Sequence, residues 1–94
     1  MEYEFTNQFF KDLKHFHKDS NLVHLLGAKI NETVTANFIE DITGLQVIRG
    51  TSVHYRFKIK TDITTYRVGI KRLKKVIWFT CIDNIKKRFY KRFP

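Results

Sequence analysis

From His54 to Lys71 the chain reads HYRFKIKTDITTYRVGIK, and apolar and polar residues alternate through both ends of that stretch. Val53, Tyr55, Phe57 and Ile59 interleave with His54, Arg56, Lys58 and Lys60, while Tyr66, Val68 and Ile70 interleave with Arg67, Gly69 and Lys71. A period of two assigns each set to its own side of a strand, so the two runs predict paired strands with one apolar and one cationic face. Glu2 to Thr6 alternates as well, with Tyr3 and Phe5 against Glu2, Glu4 and Thr6, and predicts a short N-terminal strand.

The period then becomes helical. In NQFFKDLKHFHK, Phe9, Leu13 and Phe16 recur at spacings of four and three, and Phe10 widens the stripe. Thr6 or Asn7 can cap this helix, and Asp19-Ser20-Asn21 breaks it and caps the next. From Leu22 to about Ala36, Leu22, Leu25, Leu26, Ile30 and Val34 fall on one side, which predicts a two-helix antiparallel hairpin. Asn37 to Gly50 holds Gly44 and Gly50 without a clear period and reads as the connection to the sheet. Arg72 to Lys75 predicts a turn, and the nearly all-apolar Val76 to Ile82 predicts a strand covered on both faces. The tail from Asn84, NIKKRFYKRFP, has no period that separates helix from extended chain. Helices grouped together and strands grouped together predict an α+β domain. Its helix hairpin packs on one face of an antiparallel sheet that ends in a three-strand meander, and the opposite face is basic.

Charge sharpens this picture. The 94 residues make one domain, 1–94, with a net charge of +9. Residues 1–48 hold 4 basic and 7 acidic groups, whereas residues 49–94 hold 14 basic and 2 acidic ones. So basic a half that is also rich in strand-forming residues predicts positive potential displayed on a folded sheet, with a polyanion as partner. Arg56 and Arg67 strengthen the case for phosphate, since a planar guanidinium fits it better than an ammonium does. Tyr66, Phe89, Tyr90 and Phe93 accompany the charges and could stack on bases if exposed, although the alternation favours a core position for Tyr66.

The residue inventory narrows the chemistry. There is no glycine-rich phosphate loop, no HExxH, no cysteine pair and no serine in a nucleophile-elbow context. His15, His17 and His24 lie on the predicted helices, where a solvated surface is the plain reading, and no metal or cofactor is expected. His54 shares the polar strand face with Arg56 and Lys58 and reads either as a proton-transfer group or as a spectator. The single cysteine, Cys81, lies in an apolar run and is expected to be a buried, inert thiol of a reducing compartment. No run approaches the length of a membrane span, and the N-terminus MEYEF does not resemble a secretory signal, so a cytoplasmic protein is expected.

Tyr55-Arg56-Phe57-Lys58-Ile59, Tyr66-Arg67-Val68-Gly69-Ile70 and the ending Phe89-Tyr90-Lys91-Arg92-Phe93-Pro94 resemble motifs of the RelE/ParE family of bacterial type II toxins. The resemblance spans the chain and includes Phe10-Lys11-Asp12-Leu13-Lys14 and Arg49-Gly50. It implies a toxin neutralised by a cognate antitoxin. In the RelE-like branch it further implies a metal-independent, ribosome-dependent endoribonuclease that cleaves mRNA through attack of the 2′-hydroxyl on the adjacent phosphate. By position, the resemblance gives the catalytic roles to Arg56, Lys58, Arg67, Lys86 and Tyr90, with His54 as an added acid-base candidate. Lys58 falls at the base's place, Arg67 at that of phosphate stabilisation, and Tyr90 at that of a base-stacking or orienting ring. Lys60, Lys71, Lys87, Arg88, Lys91 and Arg92 would hold the RNA. Departures accompany the match: Ile85-Lys86 stands where close relatives carry His-Arg, the loop Thr61 to Thr65 is longer, and Arg88 replaces a common acid. The alternatives within the same resemblance are a ParE-like gyrase inhibitor that cuts no RNA and a decayed toxin that only binds its antitoxin.

Overall fold

The computed structural model describes residues 1–85. Along the chain come β1 (Glu2–Phe5), α1 (Asn7–Phe16), α2 (Ser20–Thr35), one 3₁₀ turn (Ile39–Asp41), β2 (Gln46–Val47), β3 (His54–Lys60), β4 (Thr65–Leu73) and β5 (Val76–Asn84). The five strands form one sheet in the order β1-β5-β4-β3-β2.

Both helices begin where the sequence supplies an oxygen for their free N–H groups. The Thr6 hydroxyl accepts from the Phe9 N–H at 3.1 Å and donates to the Thr80 carbonyl at 2.7 Å, so the cap of α1 also fixes that helix to β5. Asp19 caps α2 by accepting from the Leu22 N–H at 3.3 Å. Phe9, Leu22 and Leu26 of the helices meet Phe57, Ile59, Tyr66, Val68, Ile70, Ile77 and Phe79 of the sheet in a single core. At one edge Phe5 stacks on Phe9 with ring centroids 5.1 Å apart and leans on Phe79 at 5.6 Å. The helix pair thus covers one sheet face, as the alternation predicts.

The structure departs from the sequence reading at several points. β1 runs parallel to β5, with Tyr3 opposite Ile77 and Phe5 opposite Phe79, so the sheet is mixed rather than wholly antiparallel. The expected connection contains β2, which pairs Gln46 with Arg56 and Val47 with Tyr55. The expected turn at Arg72 to Lys75 is shorter, because Leu73 pairs with Val76 and only Lys74 and Lys75 are left to make it. On α2, Leu25 and Val34 are exposed. Its buried stripe is the narrower set Leu22, Leu26 and Thr33, since a helix lying on a sheet hides little more than one side. Phe10 is 53% exposed and touches the core at its margin, tilted against Phe5 at 5.3 Å and edge-on to Phe9 at 6.5 Å.

β5 carries an irregularity that the helices accommodate. Gly69 pairs with Cys81 but Ile70 pairs with Phe79, which leaves Thr80 as an extra residue. β1 has ended by this point, and the carboxylate of Asp12 on α1 takes over, accepting from the Ile82 N–H at 2.8 Å. Asp12 is itself buried and also accepts from the Gln8 side chain at 2.8 Å. A buried backbone donor without a strand partner is satisfied by a helix side chain instead.

Candidate functional site

The face away from the helices is built in rows that cross the strands. One row is Lys58–Arg67–Asp83, the next is Arg56–Gly69–Cys81, and the third is His54–Lys71–Trp78. Gln46 of β2 extends the second row beside Arg56, and Glu4 of β1 extends the third beyond Trp78. Directly opposed residues of an antiparallel pair hold their Cβ atoms about 5 Å apart, so the Lys58 and Arg67 side chains rise from neighbouring points. Lys60 lies opposite Thr65 at the end of the same face. The structure therefore brings His54, Arg56, Lys58, Lys60, Arg67 and Lys71 onto one surface, as the period of two predicts.

These side chains differ in setting. Lys58 and Lys60 are exposed, while His54, Arg56, Arg67 and Lys71 are partly buried. His54 Nδ1 and Arg56 Nε are buried and have no hydrogen-bond partner among the described residues. Four residues separate His54 from Lys58, about 13 Å along an extended strand, and His54 pairs with Lys71, so it stands outside the Lys58–Arg67 row. The other histidines, His15, His17 and His24, are exposed on the helical layer. Lys86, Lys87, Arg88, Tyr90, Lys91 and Arg92, the tail positions of the expected site, lie outside the described residues.

One expectation holds and one changes. Tyr66 belongs to the core: it is 4% exposed, its ring lies edge-on to Phe16 at 5.1 Å, and its hydroxyl donates to Asp19 at 2.9 Å. Trp78 does not. The expectation that Val76 to Ile82 is covered on both sides fails there: Ile77 and Phe79 point into the core, whereas Trp78 is half-buried on the open face. Cys81 is buried, as expected, but on that same open side opposite Gly69.

Sequence reasoning also missed the acids of this face. Asp83 is buried and faces Arg67 across the strand pair. At the far edge, Glu2 and Glu4 alternate with the core-facing Tyr3 and Phe5, so both carboxylates project on the open side. The face thus grades from cationic over β3 and β4 to acidic at β1. A parallel pairing between the two ends of the chain produces this gradient, and no local pattern reports such a pairing. Among the described residues no His, Cys, Asp and Glu side chains gather as a metal site, and no helix is long and apolar enough to cross a membrane.

The fold and site define an α+β domain with helices on one sheet face and the cations of β3 and β4 on the other. Comparison with family models and with curated proteins gives no match. Among solved structures, the chain is similar to a chain of the RelB–RelE antitoxin–toxin complex from Methanococcus jannaschii, with 26% identity and a TM-score of 0.66 over 96% of this chain and 98% of that one. The likeness spans nearly the full length of both chains and places this architecture among the folds of toxin–antitoxin complexes.

Proposed function

We propose that the chain is the toxin member of a type II toxin–antitoxin pair and acts as a ribosome-dependent, metal-independent endoribonuclease on mRNA. One observation carries this reading: Lys58 and Arg67 stand directly opposite each other on the sheet face away from the helices, with Arg56 one row away. Of the two partners in an antitoxin–toxin complex, a folded basic sheet fits the one whose target is a polyanion.

Cleavage by the RNA's own 2′-hydroxyl makes three demands. The attacking oxygen must lose a proton, the leaving 5′-oxygen must gain one, and the charge of the pentacoordinate phosphorane must be stabilised by groups already in place. Lys58, exposed at the row's outer end, serves as the base for the 2′-hydroxyl proton. The O2′–P bond forms as the P–O5′ bond breaks, leaving a 2′,3′-cyclic phosphate, and Lys86 from the tail gives the leaving 5′-oxygen its proton. Arg67, held in the middle strand, presents its planar fork to the phosphate oxygens. Arg56 adds charge alongside, and Lys60 and Lys71 carry the flanking phosphates. In this reading Tyr90 and Lys86 complete the site from the tail, and the cognate antitoxin neutralises the toxin by covering the same cations.

Induced expression in a bacterial host tests the proposal. The wild-type chain arrests growth, and Arg67→Ala abolishes the arrest while keeping the wild-type melting temperature. A folded Arg67→Ala protein that arrests growth as fully as the wild type would remove Arg67 from the mechanism.

A further inference from the structure

Trp78 is an anomaly in the packing. It is the chain's single tryptophan, and unlike Ile77 and Phe79 on either side it takes no part in the core cluster. Among the described residues its ring makes no aromatic contact and its indole N–H makes no hydrogen bond. It sits half-buried in the third row of the open face, between Lys71 on β4 and Glu4 on β1, with Val76 and Leu73 making the next row. A large aromatic ring left on a charged sheet face is a poor use of apolar area unless a ligand covers it.

From these observations we infer that Trp78 is a stacking platform for one unpaired base of a single-stranded RNA whose phosphates follow the cations of β3 and β4. The inference rests on the reading of that face as RNA-binding and adds a subsite to it. Two features fit a base rather than a phosphate at this place. An indole offers a π-face to any nucleobase, and the neighbouring carboxylates of Glu4 and Glu2 repel phosphate, which keeps the backbone on the Lys71 side. Trp78 stands four β4 residues from the Arg67 row, about 13 Å along the strand. A short stretch of single strand therefore reaches Trp78 with one base while another of its phosphates lies between Lys58 and Arg67.

The tryptophan reports on its own occupancy. The probe is a short fluorescein-labelled RNA with 2′-O-methyl sugars, which removes the attacking hydroxyl; its abasic counterpart and heparin are the comparisons. Anisotropy measures binding, and emission of the unlabelled complex measures stacking. The expected result is that all three polyanions bind but only the base-bearing RNA quenches Trp78. Trp78→Ala then weakens RNA binding by about 5- to 150-fold, the range for loss of one stacked base, leaves heparin binding unchanged, and Trp78→Phe restores most of the RNA affinity. Binding without quenching, or an equal loss of RNA and heparin affinity in Trp78→Ala, overturns the stacking inference and leaves the polyanion reading standing. Absence of binding to any of the three overturns both.

Discussion

The Tyr66 hydroxyl donates a 2.9 Å hydrogen bond to Asp19 Oδ2, and Thr61 donates to the same oxygen at 2.7 Å. One carboxylate thus caps α2, holds the middle strand of the cationic face and fixes the loop between β3 and β4. Burial pushes the Asp19 carboxyl up, but hydrogen bonds from Thr61, Tyr66 and the backbone N–H groups of Leu22 and Asn21 outweigh it and hold it below its ordinary 3.8. A folded-state value below the unfolded one contributes stability that is complete above the unfolded value and is lost as pH falls through the folded one. Asp19→Asn is accordingly expected to lower stability at neutral pH and to flatten the acid limb of the stability curve, measured by denaturant melts from about pH 5 downward. Part of the limb persists through Glu32, where burial is likewise outweighed by hydrogen bonds from Thr43 and by the Lys29 charge.

Tyr66 gives the complementary test at high pH. Burial, the hydrogen bond to Asp19 and the charge of that carboxylate push its hydroxyl from 10.0 up to about 12. The stability this contributes is complete below the unfolded value and is lost as pH rises through the folded one. Tyr66→Phe is expected to lower the melting temperature at neutral pH by about 5 °C and to remove this loss between the two values. Thermal melts across that range check both effects.

How much of this was legible in the sequence follows from how local each signal is. Thr6 and Asp19 cap their helices through N–H groups two or three residues on, and the basic rows need only the period of two in β3 and β4. The parallel pairing of β1 with β5 joins Phe5 to Phe79 and leaves no local trace, so neither the mixed sheet nor its acidic edge was visible. In Val76 to Ile82 the apolar residues are so continuous that alternation is hidden, which is why Trp78 read as covered. Thr80, the extra residue of the irregularity, further shifts Cys81 and Asp83 onto the face that Trp78 occupies. β2 is too short, at two residues, to carry a period.

Asp12 tests the link between the helices and the irregular strand. Its carboxylate accepts from the buried Ile82 N–H, so Asp12→Ala strands a donor that has no solvent to turn to. A loss of about 1–3 kcal/mol is expected, read from denaturant unfolding, and Asp12→Asn, which keeps a carbonyl oxygen at this place, is expected to retain part of it. An unchanged stability in Asp12→Ala would mean that another group satisfies Ile82.

The cationic face is tested by salt. If phosphates bind Lys58 and Arg67, the logarithm of RNA affinity falls linearly with the logarithm of salt concentration, and Lys58→Ala or Arg67→Ala each reduces that slope by about 1. Lys14→Ala on the exposed surface of α1 is the control and leaves the slope unchanged. Titrations over a range of potassium chloride concentrations supply the measurement.

The most direct test of the central claim is translation in a purified system with added protein, followed by mapping of mRNA 5′ ends, with a gyrase supercoiling assay run in parallel. The proposed function predicts cuts in phase with the codons, formed only when ribosomes are present and lost in Arg67→Ala, with supercoiling unaffected. Intact mRNA together with loss of supercoiling would contradict it and identify a gyrase inhibitor, and no effect in either assay would leave the basic face as a surface for binding the antitoxin alone.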